Sequence, residues 1–168
     1  MAGIGPEILT RLLDEHGAAL VLYAQQWCDT PEDVVQEAFL ALVRRPALPD
    51  NLAGWLYRVV RNGAINASRS SRRRTRRETT AAGRSEPWFH ITLDDRLDAA
   101  EAARAMRQLP IEERETIVAR LWGGLSFDEI AQLTGSSTST VHRWYQAGLN
   151  ILRERLGVEC QQKKNKTK

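Results

Sequence analysis

The sequence predicts an all-α protein made of two small helical domains joined by a flexible linker. Three observations carry that prediction. Apolar residues recur at three- and four-residue spacing along most of the chain, and strand-type alternation is nearly absent. From about Glu78 to Leu93 the composition shifts to Thr, Ala, Gly, Ser and Pro, as in a linker. Beyond it, Leu121 to Leu156 spells a short helix, a glycine turn and a longer helix. The expected organisation is a first domain over 1–77, a linker over 78–94, a second domain over 95–157 and a frayed basic tail over 158–168.

The elements follow in order. A first helix is expected from about Glu7 to Trp27, with Leu9, Leu12, Leu13, Leu20 and Tyr23 facing inward. Thr30 then offers an N-cap and Pro31 a first helical position. The second helix carries Val35, Ala38, Phe39 and Leu42 on one face and ends before Pro46. Pro46-Ala-Leu-Pro-Asp-Asn51 forms a turn-rich loop. A third helix packs through Trp55, Leu56, Val59, Val60 and Ile65, and its far end is expected to dissolve into Ser68–Arg77. After the linker, where Trp88, Phe89 and Ile91 could dock, come a helix through Met106, a break at Leu109-Pro110 and a helix from Glu112 to Trp122 closed by Gly123-Gly124. Ser126 with Glu129 forms a capping box ahead of Phe127, Ile130, Ala131 and Leu133. Gly135 supplies the residue that takes positive φ where that helix stops. Ser136 and Ser137 can cap the last helix, whose buried stripe is Val141, Tyr145, Leu149, Leu152 and Leu156. Gly63 and Gly148 lie inside helices and should weaken them by roughly 1 kcal/mol each relative to Ala.

Composition narrows the function. The 168 residues suffice for one modest core or two small ones. No apolar run reaches the roughly 20 residues of a membrane helix, so no membrane insertion is expected. The first residues lack the pattern of a secretory signal, which points to the cytoplasm. Cys28 and Cys160, with His16, His90 and His142, form no ligand spacing, so neither a metal nor another cofactor is expected. Net charge is only +3, yet Arg58 to Arg77 holds eight arginines and no acid. Such a block is the footprint of an anion, nucleic acid first.

Three surfaces are candidates. On the second helix, Glu32 and Asp33 are explained by the helix dipole, but Gln36 and Glu37 lie a turn further in and suggest a polar docking face with Asp33. On the third helix, Arg58, Arg61, Asn62, Asn66, Arg69, Arg72 and Arg73, with Asn51 before it and Trp55 and Tyr57 interleaved, suit single-stranded DNA. Trp55 is expected in the core. On the last helix, Ser137, Thr138, Ser139, Thr140, His142, Arg143 and Gln146 suit groove edges and phosphates of duplex DNA, while Trp144 is expected to pack on the domain.

Taken in order, Thr30-PEDVVQEAFLALVRR, Trp55-LYRVVRNGAIN with trailing arginines, Leu109-P-x-x-E-R and GLSFDEIAQLTGSSTSTVHRWYQAGLNILRERL resemble the extracytoplasmic-function (ECF, group 4) sigma factors of the sigma-70 family, over roughly residues 8 to 156. The resemblance implies two helical domains, region 2 and region 4. It implies that Asp33, Gln36 and Glu37 meet the clamp helices of the largest subunit of core RNA polymerase, and that the flap is a further contact. It implies that the Pro46–Leu52 loop and the helix of Arg58, Asn62 and Asn66 melt and read the −10 promoter element, and that Thr138–Leu152 reads the −35 element. An anti-sigma factor is a further partner on the same grounds, and no enzymatic activity is implied.

Two other classes remain open from the residues alone. A stand-alone helix-turn-helix regulator would need a ligand pocket or a dimer seam. A DNA-processing enzyme using Glu32, Asp33 and Glu37 with Mg²⁺ would need a nucleophile or a wider acidic set.

Overall fold

Proline and small hydroxyl residues set the helix starts. In the computed structural model, residues 4–77 and 96–156 are described; the expected linker, with Trp88, Phe89 and Ile91, and the expected tail lie outside the described residues. Pro6 opens α1 (Pro6–Ala24), and Pro31 opens α2 (Pro31–Val43). Thr30 occupies the N-cap of α2 without a side-chain cap bond, so the pre-set φ of Pro31 does the starting there. Asn51 starts α3 (Leu52–Arg77): its Oδ1 accepts the Gly54 amide at 2.8 Å. After α4 (Arg96–Arg107) come α5 (Ile111–Leu121), α6 (Phe127–Thr134) and α7 (Thr138–Arg155). Among the described residues the regular structure is helical throughout, and no helix is long and apolar enough to cross a membrane.

Helices α1, α2 and α3 pack on one another, and α5, α6 and α7 do the same with α4 against α7. Leu12, Leu20, Tyr23, Val35, Ala38, Phe39, Leu42, Leu56, Tyr57, Val60 and Ala64 are buried in the first group; Met106, Leu109, Ile117, Val118, Ile130, Leu133 and Val141 are buried in the second. The groups are not separate. α1 packs on α5 and α3 on α6, so the buried residues form one continuous core. Helical periodicity marks which face of a helix is buried but not which element covers it, and this junction is where that difference matters.

Several local expectations change. α1 ends at Ala24, and Gln25–Trp27 make tight turns instead, with the Trp27 amide 3.1 Å from the Ala24 carbonyl. Leu13 is 44 % exposed. α3 does not dissolve at Ser68 but continues to Arg77, because no Gly or Pro interrupts 64–77 and Arg is a good helix former. Gly63 and Gly148 have packing reasons. A Cβ on Gly148 would lie 2.7 Å from Ile117 Cδ1, and one on Gly63 would lie 3.0 Å from Val34 Cγ1.

Candidate nucleic-acid interface

The helix-turn-helix is built from its caps upward. Ser126 Oγ accepts the Glu129 amide at 3.2 Å, and Glu129 Oε2 accepts the Ser126 amide at 2.7 Å. The Ser126 amide bond holds the Glu129 carboxyl below its ordinary range; partial burial opposes, and Asn51 and the Ser126 hydroxyl reinforce. Gly135 ends α6 at φ 71°, the left-handed region that a Cβ disfavours. Ser137 then caps α7 by accepting the Thr140 amide at 3.2 Å. Arg120 Nη1 donates to the Leu125 carbonyl at 2.9 Å and lies 4.9 Å from the Phe127 ring centroid, tying the turn before α6 to α5. Phe127 meets Tyr145 edge-on at 5.3 Å, fixing α6 against α7.

That frame sorts the residues of α7. Val141 is fully buried, and Trp144, Tyr145, Leu149 and Leu152 pack on the core, so Trp144 lies where packing was expected. Ser137, Thr138, Ser139, His142, Arg143 and Gln146 are exposed and Thr140 is half-buried. At the N-terminus the hydroxyls are largely engaged: Thr138 Oγ1 donates to Asp128 at 2.7 Å, and Ser137 Oγ lies 2.8 Å from Thr140 Oγ1. His142 stacks edge-on against Phe127 at 5.1 Å. Arg143 and Gln146 project from the next turns, so the exposed side of α7 offers a preset start and two long polar side chains beyond it.

On α3, Arg58, Asn62, Asn66, Arg69, Arg72 and Arg73 are exposed. Arg61 departs from this group. Its guanidinium forks onto Glu115 of α5, with Nε 2.7 Å from Oε1 and Nη2 3.3 Å from Oε2. Burial alone would pull the Arg61 guanidinium down; the hydrogen bond and charge of Glu115 outweigh it and hold it up. Asn51 is also engaged: while its Oδ1 caps α3, its Nδ2 donates to Glu129 Oε1 at 2.7 Å. In this arrangement two residues expected to meet promoter DNA donate to carboxylates of α5 and α6. Tyr57 is fully buried and belongs to the core; Trp55 is half-buried, with Arg45 5.2 Å from its ring centroid.

Asp33, Gln36 and Glu37 are exposed on α2, as a docking face requires. Beside them runs an apolar groove of about 340 Å³ whose walls include Leu9, Leu13, Val21, Phe39, Leu40 and Val43. Leu13, Leu40 and Val43 are 44 %, 38 % and 42 % exposed, and the sequence did not single them out as surface. At the far end of this helical group, Trp27, Cys28, Thr30, Ser68 and Arg72 line part of a cleft of about 460 Å³. Burial pushes the Cys28 thiol up, away from the reactive thiolate. Among the described residues, no group of three or more His, Cys, Asp or Glu could hold a metal ion.

Glu115 is the residue that sequence reasoning passed over. It is 2 % exposed and accepts the Tyr23 hydroxyl as well as Arg61. The signal was present: Glu115 follows Ile111 by four residues and precedes Val118 by three, which places an acid on the apolar face of α5.

Comparison with known proteins agrees with this layout. The family model described as sigma-70 region 2 matches residues 12–74, and that described as sigma-70, region 4 matches residues 99–152. The ECF RNA polymerase sigma factor SigL of Mycobacterium tuberculosis (strain ATCC 25618 / H37Rv) is 32 % identical over 162 residues, covering 90 % of this chain and 92 % of SigL. The RNA polymerase sigma factor SigV of Bacillus subtilis (strain 168) is 26 % identical over 139 residues, 78 % of each chain. The sigma factor RpoE, solved with the anti-sigma factor NepR from Bartonella quintana, shares the fold at TM-score 0.72 and 21 % identity, over 93 % of this chain and all of that one, 100 %. CnrH, solved with the cytosolic domain of CnrY, does so at TM-score 0.62 and 23 % identity, over 93 % and 92 %. Regions 2 and 4 in their family order, with such identity to SigL along both chains, show that the chain belongs to the sigma-70 family of RNA polymerase sigma factors, which act in promoter recognition and transcription initiation.

Proposed function

We propose that the chain is an ECF, group 4, sigma factor working in the cytoplasm with core RNA polymerase. In this reading residues 1–77 form region 2, 78–94 a linker, 95–157 region 4 and 158–168 a basic tail. Asp33, Gln36 and Glu37 dock on the clamp helices of the largest subunit, and the flap is a further polymerase contact. Asn51, Arg58, Arg61, Asn62, Asn66, Arg69, Arg72 and Arg73 hold the melted −10 element, where Arg forks suit phosphates and amides suit unstacked bases. Ser137, Thr138, Ser139, Thr140, His142, Arg143 and Gln146 face the −35 duplex, the first four by their place at the start of α7. An anti-sigma factor is a further partner in this reading, by analogy with the RpoE–NepR complex.

The observation that carries the reading is the exposed side of α7, framed by two caps and presenting Arg143 and Gln146 away from the core. The test is transcription in vitro with core polymerase, this protein and genomic DNA. Start sites that appear only with the protein and share two spaced upstream motifs are expected. No new starts, with tight duplex binding by the free protein, would favour a stand-alone regulator.

A further inference from the structure

We propose that Asp128 of α6, a residue outside the set assigned above, fixes one base of the upstream element by accepting a base amino group together with Thr138. The inference rests on the proposed −35 assignment of α7 and adds the chemical class of the base that is read. Asp128 lies in the first turn of α6, Thr138 opens α7, and both are exposed. Thr138 Oγ1 donates to Asp128 Oδ1 at 2.7 Å. A hydroxyl has one proton, so Thr138 Oγ1 then offers only lone pairs to anything beyond. A carboxylate accepts only, and it has lone pairs besides the one that Thr138 engages. The capping box does not use Asp128: Glu129 Oε2 accepts the Ser126 amide, while the Asp128 carboxylate turns toward α7.

Two acceptors side by side restrict what the start of α7 can face. Phosphate oxygens are acceptors and carry the same sign of charge as Asp128, so this pair is unsuited to the backbone. In the major groove, guanine presents N7 and O6 and thymine presents O4, all acceptors. Cytosine presents the N4 amino group, a donor, and adenine presents the N6 amino group. Adenine also presents the N7 acceptor beside its amino group, which a pair of acceptors meets unfavourably. Cytosine has no such neighbour. The preference at this point is therefore cytosine first, adenine next, and guanine and thymine last. Arg143 and Gln146 carry donors on exposed side chains further along α7 and suit acceptor-bearing bases there. One helix face thus holds two opposite preferences, set apart along its length.

The test uses the full-length chain with core polymerase. Every position of the upstream motif found in the transcription assay is randomised, and the transcripts are sequenced. One position is expected at which cytosine on the contacted strand exceeds guanine and thymine. There Asp128→Asn, which adds a donor, should lower the preference about tenfold while the other positions keep theirs. At that position 2-pyrimidinone, which is cytosine without its amino group, should lower wild-type output about tenfold and Asp128→Asn output only about twofold. Base preferences that Asp128→Asn leaves unchanged at every position, or wild-type output indifferent to the missing amino group, overturn the inference. Should Asp128→Asn lose its helical circular dichroism, Thr138→Val, which removes the second acceptor, decides by the same two readouts. No protein-dependent transcript from any library member would remove the −35 reading itself, whereas protein-dependent transcripts with unchanged preferences remove only the role of Asp128.

Discussion

Arg61 Nε lies 2.7 Å from Glu115 Oε1, joining a helix of the first half to a helix of the second. The Arg61 side chain retains 25 % exposure while that of Glu115 retains 3 %, so the carboxylate depends on this partner more than the guanidinium does. The Tyr23 hydroxyl supplies the second donor, which makes the two buried tyrosines of the junction chemically unequal.

Tyr23→Phe and Tyr57→Phe should therefore differ in sign or size. Removing the Tyr23 hydroxyl leaves the Glu115 carboxylate one donor short and is expected to cost about 1–3 kcal/mol. The Tyr57 hydroxyl is buried with no hydrogen-bond partner among the described residues, so its loss should be neutral or stabilising. Urea unfolding of both variants beside the parent checks this, and equal destabilisation would contradict it.

Gly148→Ala should destabilise despite the better helix propensity of Ala. Its Cβ would meet Ile117 Cδ1 at 2.7 Å and Glu113 Cβ at 3.2 Å, and overpacking of that kind costs about 1–3 kcal/mol. Gly17→Ala in α1 meets nothing within 4 Å and should gain about 0.5–1 kcal/mol. Melting temperatures that moved in the same direction would show that packing does not govern Gly148.

Ser126→Ala removes half of the capping box and should cost about 1 kcal/mol. The Glu129 carboxyl is held below its ordinary value, so its contribution is present above the unfolded value of 4.5 and is lost as pH falls through the lower folded value. Unfolding followed from neutral pH down to pH 3 should show the parent losing more stability than Glu129→Gln over that window.

Reversing charge at Asp33 and Glu37 together should weaken binding to core polymerase by about tenfold or more while leaving the thermal melt in place, because both side chains are exposed and outside the core. Affinity measured with labelled core enzyme decides it; unchanged binding would remove this face from the docking assignment.

Arg143→Ala should lower output from promoters that depend on an upstream element by about ten- to a hundredfold, the loss of one good base or phosphate contact. Promoters that lack that dependence should be spared. A uniform fall across both sets would assign Arg143 to general electrostatic attraction instead.

The sequence by itself determined the order of the helices, the Ser126 and Ser137 caps and the end of α6. Those depend on local chemistry: a Ser126–Glu129 box, a Gly135 able to adopt φ 71°, and apolar residues at three- and four-residue spacing. It also determined the exposed sides of α2 and α7, since a polar residue opposite an apolar stripe faces outward whatever covers the stripe. It misjudged the end of α3, where a run of arginines remained helical for want of a breaker. Tertiary structure alone decided that the two halves share one core, that Tyr57 lies inside it, and that Arg61 and Asn51 are turned toward Glu115 and Glu129. These are pairings between residues tens of positions apart. Periodicity records that a face is buried and that an acid interrupts it, while the identity of the neighbour is set only when helices pack and a buried carboxylate must find its donors.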